Sequence, residues 1–169
     1  MPNEIKNRVA ESKLVVFDLE DYYPNEKIID IDLAQWLEGG FVLRETDFRN
    51  QLNLFSWENY TDTLCFLHCS TDAVVPAWAF MLVAKHLQAF ATLVVQGTKK
   101  ELLIQYYVEK LITLDYTFYQ DKPLIIKGCS SKPVPPEMYV YVQQKLQPFA
   151  QSIMYGEACS AVPLYKRGK

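Results

Sequence analysis

The sequence predicts an α/β fold, a parallel-sheet core with flanking helices plus a small N-terminal α+β lobe. Three observations carry that expectation. Short apolar runs such as 63–67 and 123–127 alternate with longer helical stretches, the pattern of parallel strands joined by right-handed crossovers. Prolines and a capping box mark the helix starts. Half of the 169 residues are apolar, enough for a single α/β domain over 1–169 with a substantial core and too little chain for two full ones.

The elements follow in order. Residues 14–17, 27–31 and 41–43 read as strands, while 32–38, closed by Gly39-Gly40, and 46–52 read as helices. Together they make residues 1–60 a lobe packed on a β-α-β-α-β-α core over 61–169. In that core the strand 63–67 runs to Cys69, a loop follows, and Pro76 opens a helix over 77–90. The next strand, 91–95, leads through Gly97 to Thr98 and Glu101, whose spacing makes a capping box for a helix reaching about Leu114. The third strand, 123–127, runs to Cys129. Pro135 and Pro136 then start a helix whose apolar face is Tyr139, Val142, Leu146, Phe149 and Ile153, with Pro148 set to kink or end it.

Charge excludes several functions. Seventeen Lys and Arg against twenty Asp and Glu leave a net charge of -3, no electrostatic footprint for nucleic acid or an anionic membrane. Arginine occurs only at Arg8, Arg44, Arg49 and Arg167, so residues 50–166 lack the bidentate fork that phosphate sites favour. The charged amino terminus has no apolar signal core, and the uncharged run 73–84 is too short to span a bilayer, so a soluble, cytoplasmic protein is expected. In a reducing cytoplasm the four cysteines are free thiols or thiolates.

Three of those cysteines share a pattern. Cys69-Ser70, Cys129-Ser130 and Cys159-Ser160 are each followed within a few residues by Val-Pro, and apart from this echo no repeat stands out. Two of the motifs close predicted parallel strands, at the edge where open α/β sheets bind ligands. Cys69 and Cys129 come together if the strand at 63 lies beside the strand at 123, because neighbouring strands are ~4.8 Å apart. Cys159 follows the last helix and reaches that edge only if the chain is redirected at Pro148 and Gly156. Three converging thiolates suit zinc, iron or an iron-sulfur cluster, with Glu157 or Asp72 completing the shell. His68 ranks below Glu157, since on an extended segment it points to the opposite face from Cys69. No Cys-x-x-Cys pair supports the metal reading.

Two other readings stand beside it. One is nucleophilic thiol chemistry, for which His68 and His86 are the only histidine bases, His86 reading as solvent-facing on its helix. The other is that the cysteines merely fill tight turns, as mid-strand Cys65 does in the core. The acidic group Asp18, Glu20 and Asp21 reads as a solvated turn, and Trp36, Trp57 and Trp78 as packing, with a homodimer interface among their uses.

The motifs Asp72-Ala73-Val74-Val75-Pro76-Ala77-Trp78-Ala79-Phe80, Lys127-Gly128-Cys129-Ser130 and Met154-Tyr155-Gly156-Glu157-Ala158-Cys159-Ser160 resemble a bacterial family classed as a domain of unknown function, over nearly the whole chain. The resemblance implies no reaction. It implies a gene neighbourhood of sulfur mobilisation and iron-sulfur assembly, and hence iron-sulfur assembly proteins as partners. With the thiol pattern it favours a metal-binding protein accessory to cluster assembly or repair, with zinc, iron or an iron-sulfur cluster at Cys69, Cys129, Cys159, Glu157 and Asp72. The alternatives are a thiol-dependent sulfur carrier or transferase using one cysteine, and a non-catalytic interaction module. Whether the protein is an enzyme is left open by the residues.

Overall fold

The computed structural model describes residues 14–157 and 159–168. Its strands form two sheets. In one, β2 (Lys27–Asp32), β3 (Thr63–His68) and β4 (Leu93–Gln96) lie in that order, all parallel. In the other, β1 (Val15–Phe17), β5 (Pro123–Lys127) and β6 (Ser152–Glu157) are parallel, and β7 (Ser160–Lys166) returns antiparallel along β6. Among the described residues the α-helices are α1 (Glu45–Leu54), α2 (Ala77–Leu87), α3 (Lys99–Ile112) and α4 (Glu137–Leu146). The fold is α/β, with parallel sheets flanked by helices as the sequence predicts.

The chain divides into two compact units, one continuous over 24–106 and one split between the segments before residue 24 and after residue 106. The sequence predicts a lobe boundary at 60/61; the compact units part at 23/24 and inside α3. In the continuous unit, β3 is apolar almost throughout because both of its faces are covered. One face packs Cys65 and Leu67 with Trp36, Phe48, Leu52, Trp57, Val83 and Leu87, and the other packs Leu64 against Leu102 and Tyr106 of α3. Each such leucine contributes roughly 1.5–3 kcal/mol by leaving water. The predicted capping box forms: the Thr98 N–H donates to the Glu101 carboxylate at 2.7 Å, and the Glu101 N–H donates to Thr98 Oγ1 at 3.4 Å.

The two units follow one plan. From α1 to the end of β4, a constant shift of 59 (Asp62 to Asp121, Phe90 to Phe149) superposes the sequence of elements in the continuous unit on that of the split unit. Asp62 and Asp121 both have φ 57°, and their N–H groups donate to Phe90 and Phe149 carbonyls respectively. The Trp57 indole donates to the Leu52 carbonyl at 2.8 Å, and the Tyr116 hydroxyl donates to the Leu111 carbonyl at 2.7 Å. Likewise β1 and β2 correspond, and both lead through an Asp-Leu pair into a 3-10 turn, capped by Asp18 in one and Asp32 in the other. The Cys-Ser echo is therefore not the only repeat, and it is one residue out of step with this one. In the structural register Cys69 corresponds to Gly128, and Cys129 to Ser70.

Several local expectations change. Residues 32–38 make only a 3-10 turn, Leu33–Trp36, and 41–43 contribute an isolated bridge, Glu38 to Val42, instead of a strand. The last helix does not continue to Ile153. It ends at Leu146 just before Pro148, and Ile153 is buried in β6. The apolar spacing that suggested a longer helix belongs partly to a strand, since a short apolar run fits either period. Finally, β1 and β2 enter different sheets, so the first sixty residues supply both units with a strand.

Candidate functional site

The carboxyl edge of the split unit collects charge and thiols from the segments that follow β1, β5 and β6. Asp18 follows β1; its carboxylate accepts the Glu20 N–H at 2.9 Å and the Lys127 ammonium at 2.6 Å. Lys127 ends β5, and that hydrogen bond with Asp18 raises its pKa, with the Glu20 and Glu157 carboxylates adding to the effect. Glu20 fastens the loop that carries Cys129. The Ser130 hydroxyl and the Lys132 and Ser131 N–H groups hold its carboxyl down at about 2. The acidic turn that the sequence predicts to be merely solvated is thus a clamp at Asp18 and Glu20.

Cys129 is exposed in the β5–α4 loop. The loop starts beside β6, with the Gly128 N–H donating to the Gly156 carbonyl at 3.3 Å. Because β6 runs parallel to β5, it carries Gly156 and Glu157 to the same edge, and the turn into β7 places exposed Cys159 there. The redirection that Cys159 required comes from a whole extra strand. Gly156 permits the turn: its φ is 122°, and a Cβ at that position would sit 2.7 Å from the Ser160 carbonyl oxygen. Glu157 Oε1 is buried without a hydrogen-bond partner, a costly arrangement for a carboxylate. Tyr139 of α4 stands over this edge, its pKa raised by burial and by the neighbouring Tyr155, Asp18, Glu20 and Cys129.

The equivalent edge of the continuous unit is built differently. Burial opposes the charge of Asp32, yet the Ser70 hydroxyl at 2.5 Å and the Ala34 and Ser70 N–H groups hold its carboxyl below the usual range. His68 occupies the position of Lys127, 3.3 Å from Asp30. Cys69 is half-buried, with Sγ 3.4 Å from Thr71 Oγ1, and exposed Asp72 follows in the same loop. His68 and Cys69 line one cavity, contrary to the expectation that they face apart, because β3 ends between them. His86, expected to face solvent, is half-buried. It stacks on Trp57 at 5.2 Å, and burial, then Lys85, lowers its pKa.

The strand order expected to join Cys69 to Cys129 does not occur: β3 pairs with β2 and β4, and β5 with β1 and β6. Cys129, Cys159 and Glu157 belong to the split unit, Cys69 and Asp72 to the continuous one. Among the described residues, no three His, Cys, Asp or Glu side chains are gathered to hold a metal ion. Cys65 is fully buried, its thiol pushed up by burial, and takes no part. Sequence reading missed Lys127 and Tyr139, and the roles of Asp18 and Glu20. The signal was the shared Asp-Leu after β1 and β2.

These features define an α/β protein of two like units, with a thiol-bearing polar edge on the split one. The chain belongs to the family described as protein of unknown function (DUF2480), whose model matches residues 3–167. No curated protein and no solved structure matches it. No helix among the described residues is long and apolar enough to cross a membrane.

Proposed function

We propose that the protein is a thiol-dependent sulfur carrier acting through Cys129 and Cys159. The observation that carries this reading is the return of β6 and its turn to the edge where Cys129 stands, which gives two exposed thiols on adjacent loops. A thiolate is the nucleophile in such chemistry. Cys129 attacks the outer sulfur of a donor persulfide; the donor S–S bond breaks, the donor leaves as a thiolate that takes up a proton, and Cys129 holds the persulfide. Transfer to Cys159 or to an acceptor's thiol repeats the exchange, with no net oxidation. Iron-sulfur assembly proteins in the cytoplasm are the partner class this chemistry suits.

Glu157 favours a second reading. Its buried, unpartnered oxygen lies on the edge that carries Cys129 and Cys159, and the three side chains would become a donor set for zinc or iron only by drawing together around the ion. Cys69 and Asp72 then lie outside the ligand set. One experiment addresses both. Anaerobic protein is treated with a small-molecule persulfide and examined by intact and peptide mass spectrometry, with metal content measured in parallel. The carrier reading expects one added sulfur atom on Cys129 or Cys159, lost in the Cys129→Ser, Cys159→Ser double variant and kept in Cys69→Ser. Absence of sulfur with near-stoichiometric metal that disappears in the double variant replaces it by the metal reading. Neither sulfur nor metal removes both.

A further inference from the structure

The second cysteine-bearing edge opens into a cavity with a thiol in its wall. It measures about 380 Å³ and opens at the carboxyl ends of β3 and β4, between the loop that follows β3 and the start of α3. Its size and place are those of small-molecule sites in parallel α/β sheets. Leu67 and Phe80, both buried, give it an apolar floor, while His68, Cys69, Gln96 and Thr98 supply polar atoms.

Charge in the lining narrows the ligand. No Lys, Arg, Asp or Glu lines the cavity. The helix α3 amino terminus, which would otherwise attract an anion, already has its Thr98 N–H donating to the Glu101 carboxylate. Asp30 stands 3.3 Å from the only ionisable ring in the wall, His68.

The internal repeat supplies an independent argument. The split unit holds a cavity of about 370 Å³ lined by Ile126, Tyr139 and Tyr155, the positions equivalent to Leu67, Phe80 and Gln96. Side chains of different shape leave open space at the same three positions in both units. Close packing is the rule for protein interiors, so an opening retained twice belongs to the plan of the unit and not to one poorly filled corner.

We propose that the continuous unit's cavity is a binding site for a small, uncharged molecule with an apolar body, held with its polar or electrophilic end at Cys69. The proposal does not depend on the chemistry assigned to Cys129 and Cys159.

A reactive probe tests it on the full chain. N-benzyl iodoacetamide is uncharged and apolar at one end; the Cys69 sulfur attacks its iodine-bearing carbon, an S–C bond forms, iodide leaves and the thiol proton passes to solvent. Labelling at each cysteine is followed by peptide mass spectrometry. At Cys69 the rate is expected to saturate with probe concentration, while exposed Cys129 and Cys159 show a linear dependence. The unreactive N-benzylacetamide, at ten times its Kd, is expected to slow Cys69 labelling about tenfold by mass action and leave Cys129 unchanged. Ala73→Trp, which fills the cavity from its loop, is expected to abolish saturation with the circular dichroism spectrum kept. Linear labelling at Cys69 without protection overturns the proposal, a result that needs no variant to fold. Equal protection of Cys129 also overturns it, since the competitor then acts without a site.

Discussion

Glu20 shows how much one side chain does at the candidate edge. Its carboxylate gathers the backbone of Ser131 and Lys132 and so sets the path of the loop that presents Cys129. A carboxyl held at about 2 in the fold against 4.5 in the open chain contributes stability above pH 4.5 and loses it as pH falls toward 2. The protection of residues 129–132 against hydrogen exchange, taken relative to the intrinsic amide rate at each pH, is therefore expected to fall over that interval, and Glu20→Gln to give the same loosening at neutral pH. Unchanged exchange in the variant would show that the loop holds itself. The tyrosines act at the opposite end of the scale. Burial pushes Tyr119 up to about 12 and raises Tyr107 and Tyr116 as well, so the folded chain keeps protons that the unfolded chain releases near pH 10. Their contribution is complete below pH 10 and lost as pH rises from there to 12; melting temperatures measured across this range are expected to fall. Tyr116→Phe, which removes the hydroxyl donor from the Leu111 carbonyl and leaves it only the long bond from the Leu114 N–H at 3.4 Å, is expected to cost about 1 kcal/mol in a denaturant titration.

The β6–β7 hairpin is the element on which the proposed chemistry rests. Without β6 the end of α4 would leave Cys159 far from the carboxyl edge; with it, Cys159 is delivered one turn beyond Glu157. Gly156→Ala forces a side chain into a backbone conformation that only glycine holds easily, and is expected to cost about 1–3 kcal/mol. Its more telling readout is sulfur transfer. If the hairpin positions Cys159, exchange between the two thiols should weaken while the first acceptance at Cys129 persists. Loss of both together would mark the variant as merely unfolded. The helices carry less meaning for the site but test the repeat. Leu52 and Leu111 are both fully buried, at equivalent positions on α1 and α3, each under the hydrogen bond from Trp57 or Tyr116. Leu52→Ala and Leu111→Ala are each expected to lose about 2–5 kcal/mol, and a large difference between them would mean that the corresponding positions do not do corresponding work.

At the scale of the whole chain, the two units report separately. All three tryptophans, Trp36, Trp57 and Trp78, lie in the continuous unit, so tryptophan fluorescence follows that unit while circular dichroism follows both. Ile153→Ala, a cavity in the split unit, should shift the dichroism transition; a fluorescence midpoint that moves with it would show that the units unfold as one. Much of each unit was legible in the residues. The capping box at Thr98 and Glu101, the strand at 123–127 and the helix starts after Pro76 and Pro136 are local signals, decided by propensity and hydrogen bonding within a few residues. The repeat was legible too, in Leu87-Gln88-Ala89-Phe90-Ala91 against Leu146-Gln147-Pro148-Phe149-Ala150, but the louder Cys-Ser echo drew the register one residue off. What local signals do not contain is pairing. Nothing in the residues around 63 and 123 states that their strands enter different sheets, because either arrangement buries the same apolar faces. By itself the sequence determined the α/β class, most elements and the thiols at strand ends. Only the tertiary structure decided that Asp18, from before the continuous unit, meets Lys127 after it, and that β6 carries Cys159 to the edge on which Cys129 stands, since contacts between distant segments are fixed by how faces pack and not by the residues beside them.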